Sequence, residues 1–138
     1  MTMLILHYIS FIIVLLALLL EHVMMKPSLS RAALRKLVII DGVYGTAFLL
    51  VFLSGLGLAF WSEAEFRHYL SNTAFVQTLV LFFVIALISA YPSFRYLLLW
   101  KGALNETVEL PVFIIWIIRL ELAVLAVFVW LGYVMRSA

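Results

Sequence analysis

The sequence predicts an all-α protein, a transmembrane up-down four-helix bundle that forms a single domain over residues 1–138. Three observations carry that expectation. The chain is 67% hydrophobic and 12% charged, with a mean hydropathy of +1.23, where a soluble domain is about 45–50% apolar and about 25% charged. Four of its stretches reach the roughly 20 apolar residues that a helix needs to cross the hydrocarbon core. The segments between them are short, which makes consecutive helices antiparallel neighbours. The same composition excludes a disordered chain, which needs low hydrophobicity and high charge.

The elements follow in order. The first span, residues 3–25, closes at Lys26-Pro27-Ser28. No A-x-A-like site follows its apolar run, so it is expected to stay as an anchor. The second covers residues 37–60. The third, residues 74–96, opens after Ser71-Asn72-Thr73, with Asn72 or Thr73 as its N-cap. The fourth, residues 111–135, begins with Pro111, a residue that a helix accepts in its first turn. Trp61, Tyr69, Trp100 and Tyr133 fall near the boundaries, where interfacial aromatics belong.

Basic residues set the orientation. Lys26, Arg31, Arg35 and Lys36 lie in the first loop and Arg95 and Lys101 at the third, against Arg67 and Arg136 on the other side. That six-to-two bias puts the first and third loops in the cytoplasm and both termini outside. A net charge of +2 without a basic stripe excludes nucleic acid as a partner. With no cysteine there is no disulfide or thiolate metal site, and no metal centre is expected.

Charges inside spans are the main functional signal, because each costs about 2.5–3.5 kcal/mol at a helix centre. Glu21 and Asp41 lie roughly 6 Å inside the cytoplasmic boundary, and Arg119 and Glu121 about 12–15 Å from the same side. With Tyr44 and Arg95 they make one candidate polar cluster. Helical phase puts His7, Ser10, Val14, Ala17 and Glu21 on one face, and Asp41, Gly45, Phe48, Phe52 and Gly55 on another. The two faces are expected to meet inside the bundle. Arg119 and Glu121 point about 200° apart, so both cannot face its centre. Glu21 and Asp41 are expected to approach a base, Arg119 or Arg95. A structural ion-pair cluster and a functional site both stay open for these residues. His22 reads as an interfacial residue. His68, beside Glu63, Glu65 and Arg67, reads as part of a solvated face. His7 is the candidate cofactor ligand, an inward-facing imidazole that could hold haem.

Several short motifs resemble those of one family. The run from Glu21 to Lys26, Asp41-Gly-Val-Tyr44-Gly45, Gly55, Tyr91-Pro92-Ser93 with Trp100, and Arg119 with Glu121 before Met135-Arg136 resemble the bacterial predicted membrane proteins catalogued as domain of unknown function 2214. That likeness implies a bacterial inner-membrane location. The family pattern has bases after the second-span glycine and at the opening of the third span. Here those places read Gly57-Leu58-Ala59 and Phe75-Val76-Gln77-Thr78, with no base. The family is in turn distantly similar to the membrane-embedded haem-linked protoporphyrinogen oxidases, which implies a haem or porphyrin function with His7 as the ligand.

Three functions are compatible with these residues. The first is a haem- or porphyrin-binding redox protein using His7, with Tyr8, Phe11, Phe52, Trp130 and Tyr133 lining the pocket. The second is a proton- or ion-coupled relay built on Glu21, Asp41, Arg119 and Glu121. The third is an accessory subunit or oligomeric scaffold, in a homo-oligomer or a larger membrane complex, with no chemistry of its own. Hydrolysis is excluded by the lack of a nucleophile elbow or a metal motif.

Overall fold

The computed structural model describes residues 2–59 and 73–137. Four helices, α1 (Thr2–Met24), α2 (Arg31–Ala59), α3 (Thr73–Leu98) and α4 (Phe113–Ser137), are joined at one end by two short strands, β1 (Ser28–Ser30) and β2 (Thr107–Glu109). All four helices are long and apolar enough to cross a membrane. The expected spans fall on them, with one larger departure: α2 starts at Arg31, six residues before the expected 37. Its charged first turns hid the start from a reading by hydropathy. Trp61, Arg67, His68, Tyr69 and the cap residue Asn72 lie outside the described residues.

The start of α2 is fixed by its N-cap and by the third loop. The first four N–H groups of a helix have no partner within it. Here Arg31 N donates to the Glu106 carbonyl at 2.8 Å and Ala32 N to the Leu104 carbonyl at 3.1 Å. Ala33 N donates to Ser30 Oγ at 3.2 Å, the N-cap bond. The strands pair antiparallel, Ser28 with Glu109, Leu29 with Val108 and Ser30 with Thr107. Leu29, Val108 and Leu110 are buried beneath the pair as a plug. Three residues are too few to show an alternating pattern, so the sequence carries no strand signal here.

Two arginines lock this end. Arg31 donates through Nε to the Leu99 carbonyl and through Nη1 to the Ala103 carbonyl, and Nη1 also meets Glu106 Oε2 at 2.7 Å. The Arg31 guanidinium holds the Glu106 carboxyl below its ordinary titration range. Arg35 donates through Nε and Nη2 to the Trp100 carbonyl and stacks over the Trp100 ring, 4.9 Å from its centre. Gly102 sits at φ +135°, and a Cβ there would collide with the Arg31 guanidinium. Only glycine meets both conditions.

Around the bundle, α1 packs most extensively on α2 and α3 on α4, while α1–α4 and α2–α3 contacts close a ring without diagonal pairs among the described residues. The inward stripes repeat at helical spacing. They are Ser10, Val14, Ala17, Leu18 and Glu21 on α1, and Ile114, Ile118, Glu121 and Leu125 on α4. Gly45 faces outward rather than inward, so the α2 stripe runs through Leu37, Tyr44 and Phe48 instead. Large apolar residues such as Ile9, Ile12, Leu16, Leu87 and Val129 are exposed on the outside, a surface made for lipid rather than water.

Candidate functional site: a buried carboxyl cluster

Three helices each deliver one acid to the core. Glu21 stands on the last turn of α1, three residues after Leu18 on the same stripe, and is 2% exposed. Glu121 continues the stripe of Ile114 and Ile118 on α4 and is also 2% exposed. Asp41 lies on α2 one turn after Leu37 and is half-buried. The remaining helix, α3, supplies hydroxyls: Ser89 and Tyr96 are buried, and Ser93 is half-buried.

These groups touch one another. Ser93 Oγ donates to Asp41 Oδ2 at 2.5 Å, and the Asp41 and Glu21 carboxyls lie beside each other. Ser89 interacts with the Glu121 carboxyl and lies beside the Tyr44 hydroxyl. Tyr96, fully buried, places its hydroxyl 3.8 Å from Met25 Sδ. Glu21 Oε1, Glu121 Oε1 and the Tyr44 hydroxyl, all deeply buried, have no hydrogen bond of ordinary geometry. Toward the far end the cluster is closed by stacked rings: Tyr44 on Phe48 at 5.5 Å, Phe48 on Phe82 at 4.2 Å and Phe52 on Phe82 at 4.7 Å. Toward the strands it is closed by Tyr96, Leu34 and Leu37.

Pro92 shapes the α3 contribution. It has no N–H for the Ile88 carbonyl, which breaks the helical ladder between the two serines. Ser89 Oγ donates to the Ile85 carbonyl and Ser93 Oγ reaches the Ser89 carbonyl at 3.2 Å. Such bonds back to the preceding turn hold a short polar side chain against its own helix.

The expected base is not in the cluster. Glu121 faces inward, and the 200° between the two residues turns Arg119 outward. There Arg119 is exposed, with Nε donating to His22 Nε2 at 3.4 Å and its guanidinium 4.8 Å from the Trp116 ring centre. Arg95 is half-buried and makes no ion pair with a described residue. Among the described residues the only salt bridge is Arg31–Glu106, at the strand end. The expectation of Glu21 and Asp41 paired with Arg119 or Arg95 is therefore corrected to three acids packed with hydroxyls. Ser89, Ser93 and Tyr96 were missed as members. Their spacing of four and then three residues puts them on one helical face, which was the available signal.

His7 is held apart from this cluster. Its Nδ1 lies 3.1 Å from the Val51 carbonyl and 3.0 Å from Ser54 Oγ. A carbonyl only accepts, which assigns the proton to Nδ1. Gly55 makes room for the ring: a Cβ there would stand 3.2 Å from His7 Cε1. An Nδ1–H on a carbonyl is how a ligating histidine is commonly oriented, but the aromatic residues do not enclose this one. Trp130 and Tyr133 stack on each other and are 61% and 65% exposed, Tyr8 is exposed, and Phe52 packs on Phe82. Among the described residues, the aromatic side chains around His7 do not form a porphyrin slot. Among the described residues no group of three His, Asp or Glu side chains is arranged to hold a metal ion.

A family model described as Predicted membrane protein (DUF2214) matches residues 1–137. No curated protein and no solved structure matches the chain, so the likeness to the haem-linked protoporphyrinogen oxidases has no support.

Proposed function

The chain belongs to that membrane-protein family, and within it we propose a proton-handling role, in which Glu21, Asp41 and Glu121 take up and release protons inside the bundle. One observation carries this reading: three carboxyls meet in a buried core, and among the described residues no base pairs with them. Like charges this close in apolar surroundings repel one another, and sharing protons relieves that repulsion. Hydroxyls suit the transfer because each can donate and accept. A proton reaching Asp41, the most exposed of the three acids, can pass to Glu21, whose carboxyl lies beside it. Ser89 and the Tyr44 hydroxyl stand ready to relay it to Glu121. The cluster is closed above and below, so Asp41 is the opening. On the six-to-two basic bias we assign the strand end to the cytoplasm of a bacterial inner membrane, with both termini outside.

Infrared titration of the protein in lipid tests this. The expected result is a carboxylic-acid C=O band that rises and falls with pH, shrinks in Glu21→Gln, Asp41→Asn and Glu121→Gln, and vanishes in the triple variant. Vesicles loaded with a pH-sensitive dye should also show faster proton equilibration with the native chain than with the triple variant. A band that ignores all three substitutions, together with equal proton rates, would overturn the proposal.

A further inference from the structure

The seam between α2 and α3 opens at the strand end into a groove of about 460 Å³, lined by Val38, Leu97, Leu98, Trp100 and Lys101. That volume lies within the range of about 300–1,000 Å³ typical of ligand sites. Its composition changes along the helix axis. Val38, Leu97 and Leu98 form an apolar stretch up to the last residue of α3, and Trp100 and Lys101 stand just beyond it. Leu97 and Leu98 are about three-fifths exposed, so the groove opens sideways toward lipid rather than into the core. The Trp100 wall is held in place by Arg35, which bonds its carbonyl twice and stacks on its ring. Lys101 is exposed and makes no hydrogen bond or ion pair with a described residue.

An apolar slot topped by a fixed interfacial tryptophan and an uncompensated ammonium complements one kind of molecule, an amphiphile with an anionic head. We propose that this groove binds an anionic phospholipid, with its phosphate on Lys101 and the start of an acyl chain along Val38, Leu97 and Leu98. Arg35 adds positive charge at the same level without leaving the Trp100 carbonyl. Trp and Lys at a helix end are the residues that meet the headgroup layer of a bilayer. The site is separate from the carboxyl cluster, although Val38 lies one turn from Asp41 along α2.

Native mass spectrometry of the detergent-purified protein, titrated with phosphatidylglycerol or phosphatidylcholine of matched chains, tests the proposal. The expected result is preferential retention of phosphatidylglycerol. That preference should fall about fivefold in Lys101→Gln, the worth of one lysine at an anionic surface, and recover in Lys101→Arg. Val38→Trp, which fills the apolar part, should weaken both lipids while leaving helicity by circular dichroism unchanged. Inorganic phosphate should not compete at concentrations that leave the protein folded. Equal retention of the two lipids, or a preference untouched by Lys101→Gln, would overturn the proposal. Displacement by inorganic phosphate alone would overturn the lipid as the source of the anion.

Discussion

At the scale of single residues, the pairing of Glu121 with hydroxyls instead of a base has a measurable consequence. Removing one partner of a buried ion pair strands the other charge and costs about 3–5 kcal/mol. Among the described residues no such partner stands beside Glu121, so Glu121→Gln, which keeps shape and hydrogen-bonding capacity, should cost less than about 1 kcal/mol. Arg119→Leu should not destabilise, because it takes a charge off the outward face of a membrane-spanning helix. Thermal unfolding in detergent checks both, and a loss near the ion-pair figure in either variant would restore the paired reading. Of the candidate residues, Glu21, Asp41 and Glu121 were legible from their depth in the spans, because apolar surroundings make a charged residue conspicuous. Serines at membrane depth give no such signal, so Ser89 and Ser93 stayed hidden until the fold placed them against acids.

At the scale of elements, the strand pair and the two arginines act as a clasp across the first and third loops. Its ion pair gives a pH dependence with a definite sign. Burial is not the cause here: Glu106 is exposed, and its carboxyl is held low by the hydrogen bond and charge of Arg31. A depressed carboxyl contributes stability that is fully present above its unfolded value, near 4.5, and lost as pH falls through the lower folded value. Hydrogen exchange at Arg31 N and Ala32 N, both bonded to third-loop carbonyls, should therefore be slow at neutral pH and speed up only below that range. Glu106→Gln should remove the acid-dependent step. If exchange at these amides is the same at pH 3 and pH 6 after correction for intrinsic rates, the ion pair does not hold the clasp. The start of α2 belongs to this scale as well. Ser30 is a readable N-cap, but the helix begins there only because a loop some 75 residues later supplies carbonyls to its first two N–H groups.

At the scale of the whole molecule, the bias of basic residues predicts a topology that labelling can check. Single cysteines at Ser28 and Thr73 should react with an impermeant reagent from opposite faces of intact membranes, with Ser28→Cys protected from outside. Equal labelling of both from outside would reverse or break that assignment. The sequence by itself determined the class and the four spans. Runs of about 20 apolar residues have one stable state in lipid, a helix with every backbone group bonded within itself. It also determined the acids at depth and the fact that Arg119 and Glu121 face opposite ways, since both follow from the helical repeat. Only the tertiary structure decided which of those two turned inward, which hydroxyls met the acids, and that the loops would pair as strands. Those outcomes depend on contacts between residues far apart in the chain, and the period of a single helix carries no information about its neighbours.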